Sequence, residues 1–79
     1  MKYTIYYFGM TAEASGASQE QMECTTATTT RELREHLAER HEKLKKIEFQ
    51  LAVNRSIADD EASLVPGDEI ALLPPFAGG

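Results

Sequence analysis

The stretch Thr29-Thr30-Arg31-Glu32-Leu33-Arg34-Glu35-His36-Leu37-Ala38-Glu39-Arg40-His41-Glu42-Lys43-Leu44-Lys45 decides the fold, because no other part of the chain reads as a long helix. It begins with a capping-box pattern. The Thr29 hydroxyl can accept from the backbone N–H of Glu32, and the Glu32 side chain can reach back. Leu33, Leu37 and Leu44 then fall at helical spacing on one apolar stripe. Between them, Glu32, Glu35, Glu39 and Glu42 are interleaved with Arg31, Arg34, Arg40, Lys43, Lys45 and Lys46, a solvated face with opposite charges at helical spacing. The spacing predicts a helix over 30–45. With a single helix available, it must cover one face of a mixed sheet, an α+β, two-layer arrangement.

Toward the N-terminus, Tyr3-Thr4-Ile5-Tyr6-Tyr7-Phe8 is β-branched and aromatic and predicts a strand. Tyr3, Ile5 and Tyr7 would share one face, with Thr4, Tyr6 and Phe8 on the other. Residues 9–18 are small and polar and predict a connecting loop. Gln21 to Thr26 predicts the second strand of a hairpin, with Met22 and Cys24 pointing inward. Toward the C-terminus, Phe49, Leu51 and Val53 alternate with Gln50 and Ala52, giving a strand with a buried face. Asn54-Arg55 predicts a turn, and Ile57 begins a short return. Val65-Pro66-Gly67-Asp68 places Pro then Gly at the centre of a type II turn. The last strand is Glu69 to Leu73. The first and last strands are the most hydrophobic, so they are expected side by side at the centre of the sheet.

The 79 residues predict a single domain, with a flexible tail over about 75–79. A core this small leaves little room for a deep private active site, so any catalysis is expected to be shared with a partner. At 42% hydrophobic and 27% charged, the composition is that of a folded protein. A formal charge of −5 argues against nucleic-acid binding, which needs clustered Lys and Arg. Cys24 is the sole cysteine, so no intramolecular disulfide can form. No apolar run approaches a membrane span and no signal-peptide core is present, so the cytosol is the expected compartment. His36 and His41 are too poorly spaced for a metal pair, Glu13, Glu20 and Glu23 show no acid–base pairing, and Asn54 reads as a turn former.

The sequence closes on Leu72-Leu73-Pro74-Pro75-Phe76-Ala77-Gly78-Gly79. Pro74 and Pro75 fix φ and stiffen a stem, while Gly78 and Gly79 present no side chain to a narrow channel. At roughly 3.3–3.6 Å per residue, the five residues from Pro75 could reach about 17 Å into another protein. The functional expectation is that the terminal carboxylate is itself the reactive group; a frayed small-residue end is the alternative.

Four features stand in one order: the aromatic opening strand, Ala52-Val53-Asn54, Pro66-Gly67-Asp68-Glu69-Ile70, and Pro74-Pro75-Phe76-Ala77-Gly78-Gly79. Together they resemble the MoaD family, the small subunit of molybdopterin synthase, over essentially the whole chain. The resemblance implies the ubiquitin-like β-grasp fold and a sulfur carrier. Gly79 would be the residue adenylated by a MoeB-like activating enzyme using ATP and then thiocarboxylated, with Gly78 its required neighbour. A MoaE-like large subunit, expected to carry the catalytic residues, would receive the tail in a heterotetramer. Two carriers in succession would give sulfur to cyclic pyranopterin monophosphate, forming the molybdopterin dithiolene. The carrier itself would bind no cofactor and no metal. Docking would use Phe8, Ile57 and Leu73 on the sheet, together with Pro74, Pro75, Phe76 and Ala77. Leu73 stands where the family often has an aromatic, and Phe76 where it has a smaller aliphatic residue. Read without the resemblance, Phe8, Ile57 and Leu73 could equally be core. Carriage of sulfur for thiamin or tRNA thiolation, or conjugation to lysines through Gly79 as a ubiquitin-like modifier, are the other functions compatible with such a tail.

Overall fold

The structure, a computed structural model, describes residues 2–23, 29–59 and 61–74. Its elements are β1 (Lys2–Tyr7), α1 (Met10–Ser15), β2 (Gln19–Glu23), α2 (Thr30–Arg40), a 3-10 helix over Glu42–Lys46, β3 (Gln50–Val53), β4 (Ser56–Ala58) and β5 (Glu69–Leu73). The sheet order is β2-β1-β5-β3-β4. β1 and β5 pair in parallel, with Ile5 opposite Ile70 and Tyr7 opposite Leu72, and the remaining pairs are antiparallel. This is the β-grasp arrangement, and the first and last strands occupy the central positions.

Alternation along each strand sorts side chains to the two faces. Tyr3, Ile5, Tyr7, Met22, Leu51, Ile70 and Leu72 point to the helix layer and are almost fully buried, as are Leu33, Leu37 and Leu44 opposite them. Burial of one such Leu or Ile side chain contributes about 1.5–3 kcal/mol, so this interface holds the two layers together. The expected capping box is present. Thr29 Oγ1 accepts from Glu32 N at 3.3 Å, and Thr29 N donates to Glu32 Oε1 at 3.1 Å.

The α-helix ends earlier than its Leu spacing predicts. His41 is extended, with φ −128°, and the chain resumes as a 3-10 helix. Leu44 is still buried, because the tighter turn carries it back onto the core. His41 leaves the helix to bond Glu20 on β2. A second difference is α1, which lies within the predicted loop. It is a six-residue helix closed by Gly16 in the left-handed region (φ 78°), whose N–H bonds the Ala12 carbonyl. β2 begins at Gln19 and ends at Glu23; Met22 is buried as expected, while Cys24 lies outside the described residues.

Two turns fix the position of β5. Asn54 and Arg55 both have positive φ (50° and 72°), the two-residue hairpin geometry that matches strand twist. Val65 to Asp68 closes with Asp68 N donating to Val65 O at 3.2 Å and Gly67 at φ 92°, as the type II assignment requires. Asp68 is buried and joins the turns: its carboxylate accepts from Asn54 Nδ2 and from Val65 N, each at 2.9 Å. Asn54 in turn brackets β5, accepting from Glu69 N at 3.0 Å and donating its backbone N–H to Glu69 O at 2.8 Å.

Candidate functional site

The face of the sheet turned away from α2 carries the other half of each alternation. Register runs one row through Tyr6, Ala71, Ala52 and Ile57, and Phe8 and Leu73 follow two residues on from Tyr6 and Ala71. Phe8 is 49% and Ile57 59% exposed, so both stand on the surface rather than in the core. Leu73 is half-buried. The structure therefore places the three expected docking side chains on one face and answers the core alternative against Phe8 and Ile57.

Sequence reasoning missed the residues between them. Tyr6, Phe8, Arg55, Glu69 and Ala71 line an open hollow of about 320 Å³. Ala71 makes the hollow, since a small side chain there leaves space between larger neighbours. Tyr6 Oη lies 3.5 Å from Glu69 Oε2 along its rim. The signal was available: Tyr6 and Ala71 share the outward parity of Phe8 and Leu73.

β5 runs out at Leu73, and Pro74 follows half-buried against Gly9. Gly9 has φ +55°, and a Cβ built there would sit 3.2 Å from Pro74 Cγ, so backbone conformation and space both favour glycine. Beside it, Thr11 is fully buried. Its Oγ1 accepts from Phe8 N at 2.9 Å, donates to Phe8 O at 2.6 Å and lies 3.3 Å from Leu72 O. A cleft of about 590 Å³, lined by Arg34, Ile47, Glu48, Phe49, Gln50 and Pro74, opens at this end of the sheet. The Arg34 guanidinium closes its floor, donating to Phe49 O at 2.8 Å and lying 4.7 Å from the centre of the Phe49 ring. Pro75, Phe76, Ala77, Gly78 and Gly79 lie outside the described residues.

The titratable groups with shifted behaviour are elsewhere. Tyr7, Glu20, Arg40 and His41 meet where β1, β2 and the end of α2 converge. Tyr7 Oη donates to Glu20 Oε1, His41 Nε2 lies 2.8 Å from the same oxygen, and Arg40 Nε is 3.3 Å from Glu20 Oε2. The His41 and Tyr7 rings meet edge-on at 5.7 Å. Burial, then the bond to Glu20 and its charge, push the Tyr7 phenol well above its usual range. Partial burial would raise the Glu20 carboxyl, but the bonds from Tyr7 and His41 and the charge of Arg40 prevail and hold it below its ordinary value. Each member is partnered by another, with Tyr7 buried, Glu20 and His41 largely covered and Arg40 reaching in from the surface, so this cluster reads as a structural clamp rather than a reaction centre. Among the described residues, no group of three or more His, Cys, Asp or Glu side chains could hold a metal ion, and no helix is long and apolar enough to cross a membrane.

What the described residues build is thus a two-layer body with an exposed, largely apolar patch on the open face of its sheet and Pro74 at the end of the middle strand. The ThiS family profile matches residues 5–79. The chain is 35% identical to the molybdopterin synthase sulfur carrier subunit of Haemophilus influenzae over 79 residues, 95% of this chain and 96% of that one. Among solved structures, the putative molybdopterin converting factor subunit 1 from Pyrococcus furiosus superposes with a TM-score of 0.88 at 26% identity, covering 96% of this chain and 99% of that chain. A chain from the complex of subunits 1 and 2 of molybdopterin-converting factor from Helicobacter pylori superposes with a TM-score of 0.72 at 30% identity, each chain being covered in full (100%).

Proposed function

Since the chain belongs to the ThiS family, we propose that it is the sulfur carrier subunit of a molybdopterin synthase, working through a thiocarboxylate on Gly79. The observation that carries this reading is the proximity of the apolar docking face to the stem. Exposed Phe8 stands at the end of β1, next to the strand end from which Leu73 and Pro74 lead to Gly78 and Gly79. A partner that grips Phe8, Ile57 and Leu73 is thereby placed to receive Pro75, Phe76, Ala77 and the glycines in its own channel. That partner is the large, MoaE-like subunit, which supplies the catalytic residues. The relative from Helicobacter pylori, solved with a second subunit, supports such a pairing.

The chemistry follows from the carboxylate. Oxide is a poor leaving group, so the Gly79 carboxylate is first adenylated with ATP by a MoeB-like enzyme, releasing pyrophosphate. Hydrosulfide then displaces AMP at the acyl carbon, and loss of its proton leaves a thiocarboxylate. That group, a soft nucleophile ionised at neutral pH, attacks a carbon of cyclic pyranopterin monophosphate in the large subunit, forming a carbon–sulfur bond as a carbon–oxygen bond at the same carbon breaks and its oxygen leaves. Hydrolysis of the resulting acyl–sulfur bond returns the carboxylate, and a second carrier supplies the second sulfur. ATP is used by the activating enzyme and the carrier holds no cofactor. The cytosol is the compartment proposed for these steps.

The proposal takes Gly79 as the terminal residue of the working protein. Intact-mass spectrometry after incubation with an activating enzyme, ATP and a sulfur source is expected to show oxygen replaced by sulfur on Gly79. Absence of that mass change, together with undiminished molybdopterin formation by a chain lacking Gly79, would refute it.

A further inference from the structure

Thr11 sits where the central sheet pairing stops. The parallel β1–β5 ladder ends at Tyr7 opposite Leu72. One more step would require the backbone groups of Phe8 to find partners on β5. They find Thr11 instead: the hydroxyl accepts from Phe8 N and donates to Phe8 O, which also accepts from Thr11 N at 3.1 Å, and Leu72 O lies 3.3 Å from the same hydroxyl oxygen. A hydroxyl carries one proton, so the short contact to Phe8 O holds it and Leu72 O shares it at most weakly. One buried side chain thus caps the strand that carries the docking residue Phe8 and touches the strand that carries the stem. Pro74, which has no N–H, cannot extend the ladder either, and it rests where Gly9 presents no Cβ.

We propose that Thr11 is a positioning residue for sulfur transfer: with Gly9, it fixes the direction in which the Leu73–Pro74 stem leaves the docking face, and so where Gly79 arrives once a partner is bound. This rests on the carrier function proposed above, and adds that the body does more than dock. It aims. Thr11 touches neither substrate nor the reacting carboxylate; it acts through Phe8 and Leu72. Docking on an exposed face tolerates small errors at the strand end. Delivery of one terminal atom is more demanding: the direction in which Leu73 and Pro74 leave sets how often the tail beyond them enters the partner in the productive geometry, and misplacement of a reacting atom by about 1 Å can cost on the order of a hundredfold in rate.

The test compares Thr11→Val, which keeps the shape and loses the hydroxyl, with Thr11→Ser, which keeps the hydroxyl. One arm uses the thiocarboxylated full chain with a molybdopterin synthase large subunit and cyclic pyranopterin monophosphate. It measures the maximal single-turnover rate of product formation and the carrier concentration giving half that rate. T11V is expected to lose about tenfold or more in the maximal rate with the half-saturating concentration within about twofold, and T11S to restore the rate. The second arm needs no partner: residual dipolar couplings of the Leu73 N–H and the Pro74 Cα–H in isotope-labelled full chain are expected to shift in T11V and return in T11S. Unchanged couplings in T11V, a loss carried by the half-saturating concentration alone, or failure of T11S to rescue overturns the proposal. If the unaltered chain transfers no sulfur, the carrier function itself fails, and the couplings still decide whether Thr11 sets the stem.

Discussion

Replacing Glu20 by alanine removes the acceptor at the centre of the clamp formed with Tyr7, His41 and Arg40. The Glu20 side chain is only 18% exposed, and so is that of His41. Bonds to a charged group in such a setting contribute about 1.5 kcal/mol each at the lower end of their range, so those from Tyr7 and His41 come to about 3 kcal/mol. Arg40, 51% exposed, adds within about 0.5 kcal/mol. A chain of 79 residues has an unfolding entropy near 0.17 kcal/mol/K at about 2.1 cal/mol/K per residue, so 3 kcal/mol lowers Tm by about 18 °C. Global stability at this size is roughly 4–12 kcal/mol, which leaves Glu20→Ala folded at room temperature and measurable. The pH dependence has a definite sign. Glu20 is held below its ordinary value of 4.5, so the unfolded chain binds its proton first as pH falls. The stability it contributes is fully present above about pH 4.5 and is lost as pH drops through the lower, folded value. Thermal melts should therefore show a gap between wild type and Glu20→Ala that narrows as the pH falls below about 4.5. In a double-mutant cycle, Tyr7→Phe and Glu20→Ala should couple by about 1–2 kcal/mol, because either change alone abolishes the same bond. A gap that widens in acid, or additive effects of the two substitutions, would refute the argument.

Asp68→Ala, by removing the buried acceptor shared by Asn54 and Val65, should destabilise by about 2–3 kcal/mol, read by urea titration with an unchanged m-value. A loss under about 0.5 kcal/mol would mean that the two turns hold β5 without it. Ile57→Asp, on the exposed row of the sheet, should leave Tm within about 3 °C yet weaken binding to a molybdopterin synthase large subunit at least tenfold, about 1.4 kcal/mol by calorimetry. Equal affinity would remove Ile57 from the docking face. Leu37→Ala, at 0% exposure between α2 and the sheet, should cost about 3 kcal/mol in chemical denaturation, and a cost below about 1 kcal/mol would show that the layers close over the gap.

The strands were legible where two signals agreed. β1 and β5 combine period-two alternation with sharp ends, at Gly9 and at Pro74, and their faces came out as the pattern predicts. The start of α2 was legible because a capping box is local chemistry. Its end was not: His41 is drawn out of the helix by Glu20, a partner far away in sequence, and no local periodicity encodes that bond. α1 was missed for a related reason. Six residues are too few to show a helical period, and this turn of helix is held by Gly16, by the bonds of Thr11 and by Ala12 and Ala14 packing on the core. The exposed face proposed for docking was half legible. Strand parity set Phe8 opposite Tyr3, Ile5 and Tyr7 but left open whether it was core or surface, and Ala71 matters by being small. The clamp around Glu20 was invisible, since its four members come from three elements that only the finished fold brings together.

The parallel pairing of β1 with β5 has one further consequence. β5 is inserted between the first strand and β3, so the sheet has a gap down its middle until residue 73 has been made. During synthesis the chain cannot complete its body before β5 is made; the segment that leads to the proposed reactive end is also the keystone of the sheet. An interrupted chain ending before β5 would lack the central strand and the outward row that Ala71 and Leu73 complete. Under the carrier function proposed above, such a fragment would lack both the proposed docking row and the tail, and so could not compete with the finished chain for the partner.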